Sequence, residues 1–173
     1  MARGTAHGEN LQYQVRCRDV LTFRTPELSP LAGDGIDVPI NLLDTRWTFD
    51  VALCDGKGSV VLAECRRTVG AVKQEDVAAF AYKIEAARKA LNVPVAGIFM
   101  EKREHQIGAV KVGQFNGIEI AILEQDSAPP GFNITFLRYS EERESRCRDL
   151  VMHVPSGTLT ITGYAPTVSQ SNS

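Results

Sequence analysis

Asp50 and Glu64 are the residues of this chain whose types and spacing could do chemistry together. Each lies in a short apolar, β-prone run, 47–54 and 59–65. Asp55-Gly56-Lys57-Gly58 between the runs is turn chemistry, so they fold back as an antiparallel hairpin. With Lys57 at the turn centre, Asp50 lies across from Glu64. With a two-residue turn at Gly56-Lys57, Glu64 lies across from Phe49, still beside Asp50. Directly opposed residues have Cβ atoms about 4.5–5.5 Å apart. Strand alternation puts Arg66 on the Glu64 face and Cys65 on the other.

Two carboxylates opposed within apolar strands repel, and burial raises the cost of charging both. A divalent cation offsets that. Mg²⁺, with Mn²⁺ as a substitute, is a hard ion that takes carboxylate oxygens and keeps several waters. Such an ion lowers the pKa of a bound water and polarises a phosphate. Arg66 adds a fixed positive charge suited to two-pronged phosphate contact. Pairing geometry leaves a second outcome open, in which both acids sit at strand ends and face solvent.

Other elements must hold this hairpin. Residues 9–23 carry Leu11, Val15, Val20 and Leu21 on an imperfect amphipathic helix, stopped by Thr25-Pro26. After a Gly33-Asp34-Gly35 turn, 36–43 reads as a strand. Residues 74–92 form the clearest helix, with Val77, Phe80, Ala81, Ile84, Ala87 and Leu91 on one face. Glu75 and Asp76 sit in its first turn, where the helix dipole favours negative charge, and Pro94 ends it. The apolar run 95–100 is expected to be a buried strand parallel to a neighbour. A weaker helix over 106–115 ends at Asn116-Gly117, and 118–123 is another buried strand. Strands are expected at 132–139, 150–154 and 158–162, around a 126–131 loop and a Pro155-Ser156-Gly157 turn. The mixed-charge stretch 140–149 reads as a solvated helix or hairpin arm. The result is an α/β fold, a mixed sheet flanked by helices.

Phe49-Asp50-Val51, then Glu64-Cys65-Arg66, followed by 72–80 and by Gly97-Ile98-Phe99 through Gly117-Ile118, resembles the PD-(D/E)XK nuclease superfamily. Within it, the likeness is to the Mrr-type restriction endonuclease and Holliday-junction-resolvase-like branches, over 9–123. The resemblance implies a restriction-endonuclease-like α-β-β-β-α-β core and metal-dependent hydrolysis of DNA phosphodiester bonds. Asp50 matches the first acid and Glu64 the second, both metal ligands. Arg66 stands where the family usually has Lys. Arg cannot act as a base in a protein, though it can stabilise charge. Lys73, at the entry to the long helix, could supply an amine instead. Members often carry a Glu on the first helix. Gln12 aligns there, with Glu9 one turn earlier as an accessory metal ligand. Gly33-Asp34-Gly35-Ile36-Asp37 resembles the Mrr-type Gly-rich turn plus Asp, which makes Asp37 a rival first acid. DNA is the implied partner, and many nucleases of this fold pair up, so a homodimer could cut two strands. A catalytically inactive member serving in nucleic-acid binding or assembly is the alternative, supported by the Lys-to-Arg change.

The chain has 173 residues, 43% hydrophobic and 23% charged, ordinary values for one globular domain. Its divisions are 1–8, a flexible N-terminus; 9–123, the core; 124–164, a β-rich extension; and 165–173, a polar tail. A net charge of −2 argues against a broad electrostatic grip on nucleic acid and leaves room for a local one. Cys17, Cys54, Cys65 and Cys147 have no C-x-x-C spacing, so no structural zinc site is expected. With no signal-like segment and no membrane-length apolar run, the expected location is cytoplasmic, with reduced cysteines. His7, His105 and His153 are scattered and read as surface or packing residues, and Trp47 as core.

Overall fold

A computed structural model describes residues 3–67, 70–103, 105–125, 132–140 and 145–154. The expected 126–131 loop, the 155–157 turn, the 158–162 strand and the tail lie outside the described residues. Helix α1 (Arg3–Arg24) begins six residues before the expected start, because no proline interrupts its first turns. A two-residue β1 (Ser29–Pro30) leads to β2 (Ile36–Leu42), β3 (Thr45–Cys54) and β4 (Val60–Arg66). Then come α2 (Gln74–Leu91), β5 (Val95–Glu101), α3 (Ile107–Phe115) and β6 (Ile118–Gln125). A β7 (Phe132–Ser140) and β8 (Ser145–Val154) hairpin closes the order.

Among the described residues the strands form one eight-stranded mixed sheet, β1-β3-β4-β5-β6-β7-β8, with β2 also on the β3 edge. β3 and β4 are antiparallel from Val51–Ala63 to Cys54–Val60, the register with Lys57 at the turn centre. β4, β5 and β6 are parallel, as the all-apolar runs implied, and α2 and α3 are their crossovers. β2 finds a partner that its sequence did not advertise. Leu42 pairs with Thr45 around Leu43 and Asp44, whose φ values of 51° and 58° match a tight two-residue hairpin turn. Leu-Asp is an unusual pair for two positive φ angles, so the hairpin was not legible. Residues 145–149 are strand and not helix, since Ser140–Ser145 through Leu137–Arg148 continue the ladder with β7.

The sheet is covered on both faces. Under α1, Tyr13, Cys17, Val20 and Leu21 bury against Val51, Leu53, Ala63, Ile98 and Met100. On the opposite face Val77, Phe80, Ile84, Ala109 and Val110 of α2 and α3 bury against Phe49, Leu62, Phe99 and Ile120. Burying each of these large side chains stabilises the fold by roughly 1.5–3 kcal/mol. Phe80 and Phe99 add an edge-on ring contact at 5.8 Å. No helix among the described residues is long and apolar enough to cross a membrane.

α2 can seat on β5 because Gly97 has no side chain. A Cβ there would lie 2.6 Å from Ile118 Cδ1 and 2.8 Å from Ile84 Cγ1. Gly97→Val is therefore expected to lower stability by about 1–3 kcal/mol in urea unfolding. An unchanged midpoint would mean that α2 is not seated there.

Candidate active site

In a strand, residues two apart share a face. β2 and β3 break this rule at the same level. Ile36 and Val51 face α1, whereas Val38 and Phe49 face α2. The ladder pairs Ile36 with Val51 and Val38 with Phe49, so Asp37 and Asp50 lie between these two pairs, where both strands change face. Asp37 is in the left-handed region at φ 48°, uncommon for a non-glycine residue and a form of strain found often at functional sites. The two acids are therefore neighbours.

Asp50 is held from two sides. Its Oδ2 accepts the Cys65 backbone N–H of β4 at 2.7 Å, just beyond the last β3–β4 ladder pair. Its Oδ1 accepts Gln14 Nε2 of α1 at 3.0 Å, and the same nitrogen donates to Asp37 Oδ1 at 3.1 Å. One amide thus stands between two carboxylates. Burial pushes the Asp50 carboxyl up to about 6, and the nearby Glu64 and Asp37 charges add to the rise. The Cys65 and Gln14 hydrogen bonds oppose it.

Glu64 is buried at 8% exposure and its charge is met by two cations. Oε1 accepts Arg66 Nε at 3.2 Å and Nη2 at 3.1 Å, and Oε2 accepts Lys83 Nζ at 3.1 Å. Arg66 also reaches Asp76 Oδ1 at 3.4 Å, and Asp76 Oδ2 accepts the Lys73 backbone N–H at 3.3 Å. The β4 end is thereby tied to the first turn of α2.

Glu64 and Arg66 contact each other at the end of β4, and Asp50 lies near enough on β3 to feel the Glu64 charge. Asp50, however, is held from the α1 face by Gln14, and Glu64 from the α2 face by Lys83. Lys73 contributes its backbone N–H to the α2 start, and the amine at Glu64 belongs to Lys83. Asp76 and Lys83 are seven residues apart and so share a helix face, at the boundary between the apolar and outer faces that the sequence reading separated. Glu9 lies away from Asp50, with Oε2 3.0 Å from Arg67 Nη1. The α1 side chain at Asp50 is Gln14, two residues past Gln12 and about 200° around the helix from it. His105 is buried edge-on to Phe99 at 5.9 Å, a packing residue as expected. His7 and His153 fall outside the described side chains. Trp47 packs partly buried against the core and the Tyr82 ring.

No protein-family model and no curated protein matches the chain. Among solved structures it is similar to EndoMS in an EndoMS-dsDNA2 complex, with 23% identity and a TM-score of 0.46 over 61% of this chain and 42% of that one. Apo EndoMS gives 21% and 0.43 over 63% and 45%. A repair endonuclease from Pyrococcus abyssi gives 22% and 0.47 over 61% and 45%. The chain spans less than half the length of each.

A raised carboxyl pKa has a definite sign. Native Asp50 holds its proton up to about pH 6, whereas the unfolded chain releases it near the ordinary 3.8. The native state therefore loses stability as pH rises between these values, by about 1–3 kcal/mol in full. Asp50→Asn keeps the shape without the charge. Its melting temperature is expected to exceed the wild type's above pH 6, with the gap closing towards pH 4. A constant gap across this range would contradict the burial of an ionisable Asp50.

Proposed function

We propose that the chain is a DNA nuclease that hydrolyses phosphodiester bonds with a divalent cation, Mg²⁺ or Mn²⁺, at Asp50 and Glu64, with Asp37 alongside. The observation that carries this reading is the Gln14 amide between the Asp37 and Asp50 carboxylates, a point where two negative groups converge on one positive hydrogen source. The sequence likeness to PD-(D/E)XK nucleases supports it independently.

The donor set suits a hard ion. A carboxylate offers about four lone-pair positions. Asp50 uses two hydrogen bonds and Glu64 three, so both retain an acceptor site. Among the described residues no three His, Cys, Asp or Glu side chains are grouped to hold an ion by themselves. Mg²⁺ does not require such a cage, since it commonly uses one or two carboxylates, waters and substrate phosphate. A bound ion would supply a water of lowered pKa and polarise the phosphate.

This chain's own residues do the rest. Asp50 is ionised above about pH 6 and so becomes available as a ligand there. Gln14 and the Cys65 N–H fix its orientation. Lys83 and Arg66 place two positive charges beside Glu64, where negative charge develops on a phosphate under attack. Arg66 cannot exchange a proton, so the amine role falls to Lys83. Two copies would provide one such site per DNA strand. The free thiols of Cys17, Cys54 and Cys65 suit a reducing, cytoplasmic location.

A second reading has a specific basis: both Glu64 oxygens already engage cations, which suits an inactive, DNA-binding descendant. Supercoiled, linear and branched DNA incubated with Mg²⁺ or Mn²⁺ separates the two. Metal-dependent cleavage is expected, lost in Asp50→Ala and Glu64→Ala and reduced roughly 10²–10³-fold in Lys83→Met. DNA binding without cleavage on all substrates would favour the second reading.

A further inference from the structure

Helix α1 presents different chemistry on its two flanks. At 100° per residue, Tyr13, Cys17, Val20 and Leu21 point into the core, Gln14 to one side, and Glu9, Gln12 and Arg16 to the other. That second flank borders a cleft of about 210 Å³ lined by Glu9, Gln12, Tyr13, Arg16, Arg67, Lys102 and Leu123. Arg67 and Lys102 follow directly on β4 and β5. The Lys102 backbone N–H reaches the Arg66 carbonyl at 3.4 Å. The cleft therefore opens beyond the carboxyl ends of parallel strands, where ligands of α/β sheets bind.

Three of the lining side chains are cations and one is an acid. The acid, Glu9, sits on Arg67 at 3.0 Å while 59% exposed. Tyr13, 5% exposed, also lines the cleft, and burial first, then the nearby Cys17, Cys65 and Glu101, keeps its hydroxyl protonated. The three cations and the small concave volume suit a tetrahedral oxyanion. Glu9 resembles such an anion in charge and in its contact with Arg67.

We propose that this cleft is a second phosphate subsite, for a backbone phosphate adjacent to the one cut, and that Glu9 holds Arg67 as an internal competitor until that phosphate arrives. The proposal rests on the nuclease reading for the source of the phosphate. Sheet order supports that source: β3, β4 and β5 set Asp50, Glu64, Arg67 and Lys102 in a row along one sheet end, with strands about 4.8 Å apart. A polynucleotide strand lying along that end would meet the acids and then the cations.

The test is binding of a short fluorescent single-stranded oligonucleotide in EDTA, followed by anisotropy, with inorganic phosphate titrated separately and followed by amide NMR shifts at Tyr13 and Lys102. Binding in EDTA needs no cleavage, so it stands or falls apart from the nuclease assay. Glu9→Gln is expected to tighten oligonucleotide binding about threefold to tenfold. Arg67→Gln and Lys102→Gln are expected to weaken it, each lowering the salt slope by about 0.7. Glu9 and Lys102 are exposed and Arg67 is partly buried, and unchanged melting temperatures confirm folding. Weaker or unchanged binding in Glu9→Gln overturns the competitor role. Unaltered binding in both cation variants overturns the subsite. Inorganic phosphate shifts at Tyr13 and Lys102 without oligonucleotide binding overturn the polynucleotide source.

Discussion

The structure turns on one half-buried carboxylate. Asp50 sits where two strands change face, and removing its charge from water is unfavourable unless donors meet it. α1 supplies Gln14, β4 supplies the Cys65 N–H, and β2 brings Asp37 to the same amide. Three elements thus converge on one side chain of β3. The residual penalty survives as a carboxyl raised to about 6, the kind of unrelieved charge that folds keep at sites of function.

The other half of the site is balanced differently. Glu64 is more deeply buried, and Arg66 and Lys83 neutralise it from opposite oxygens. Arg66 passes the charge balance on to Asp76 and so to the α2 N-terminus, where the helix dipole also favours an acid. This asymmetry assigns different tasks. Among the described residues Asp50 has no cationic side chain as a hydrogen-bond partner, whereas Glu64 already has two and fixes their positions. It also shows how a chain of net charge −2 gathers two cations at one point of its surface.

Much of this was legible in the residues. Gly-rich turn chemistry narrowed the β3–β4 pairing to two registers, of which the ladder adopts the one centred on Lys57. Alternation gave Arg66 beside Glu64, and the 3.6-residue period gave α2 with its buried face. What escaped was non-local. Gln14 carries no motif, and its role arises only when α1 crosses the sheet. Asp37 stands out in the sequence only through its Gly-rich turn, and because Leu43-Asp44 does not announce a two-residue turn, the β2–β3 pairing that makes it a neighbour of Asp50 was hidden. Lys83 lies at the edge of the apolar stripe, where periodicity says least. Glu9 was read toward the metal, and the side chain points to Arg67 because that flank of α1 faces the ends of β4 and β5.

The central claim is that Asp50 attracts a divalent cation through uncompensated negative charge. Calorimetric titration of Mn²⁺ into the protein at several pH values tests it most directly. One site is expected, whose affinity falls as pH drops through about 6, because protons compete for Asp50, and which disappears in Asp50→Asn. Absence of binding above pH 7, or binding unaltered by that substitution, would contradict it.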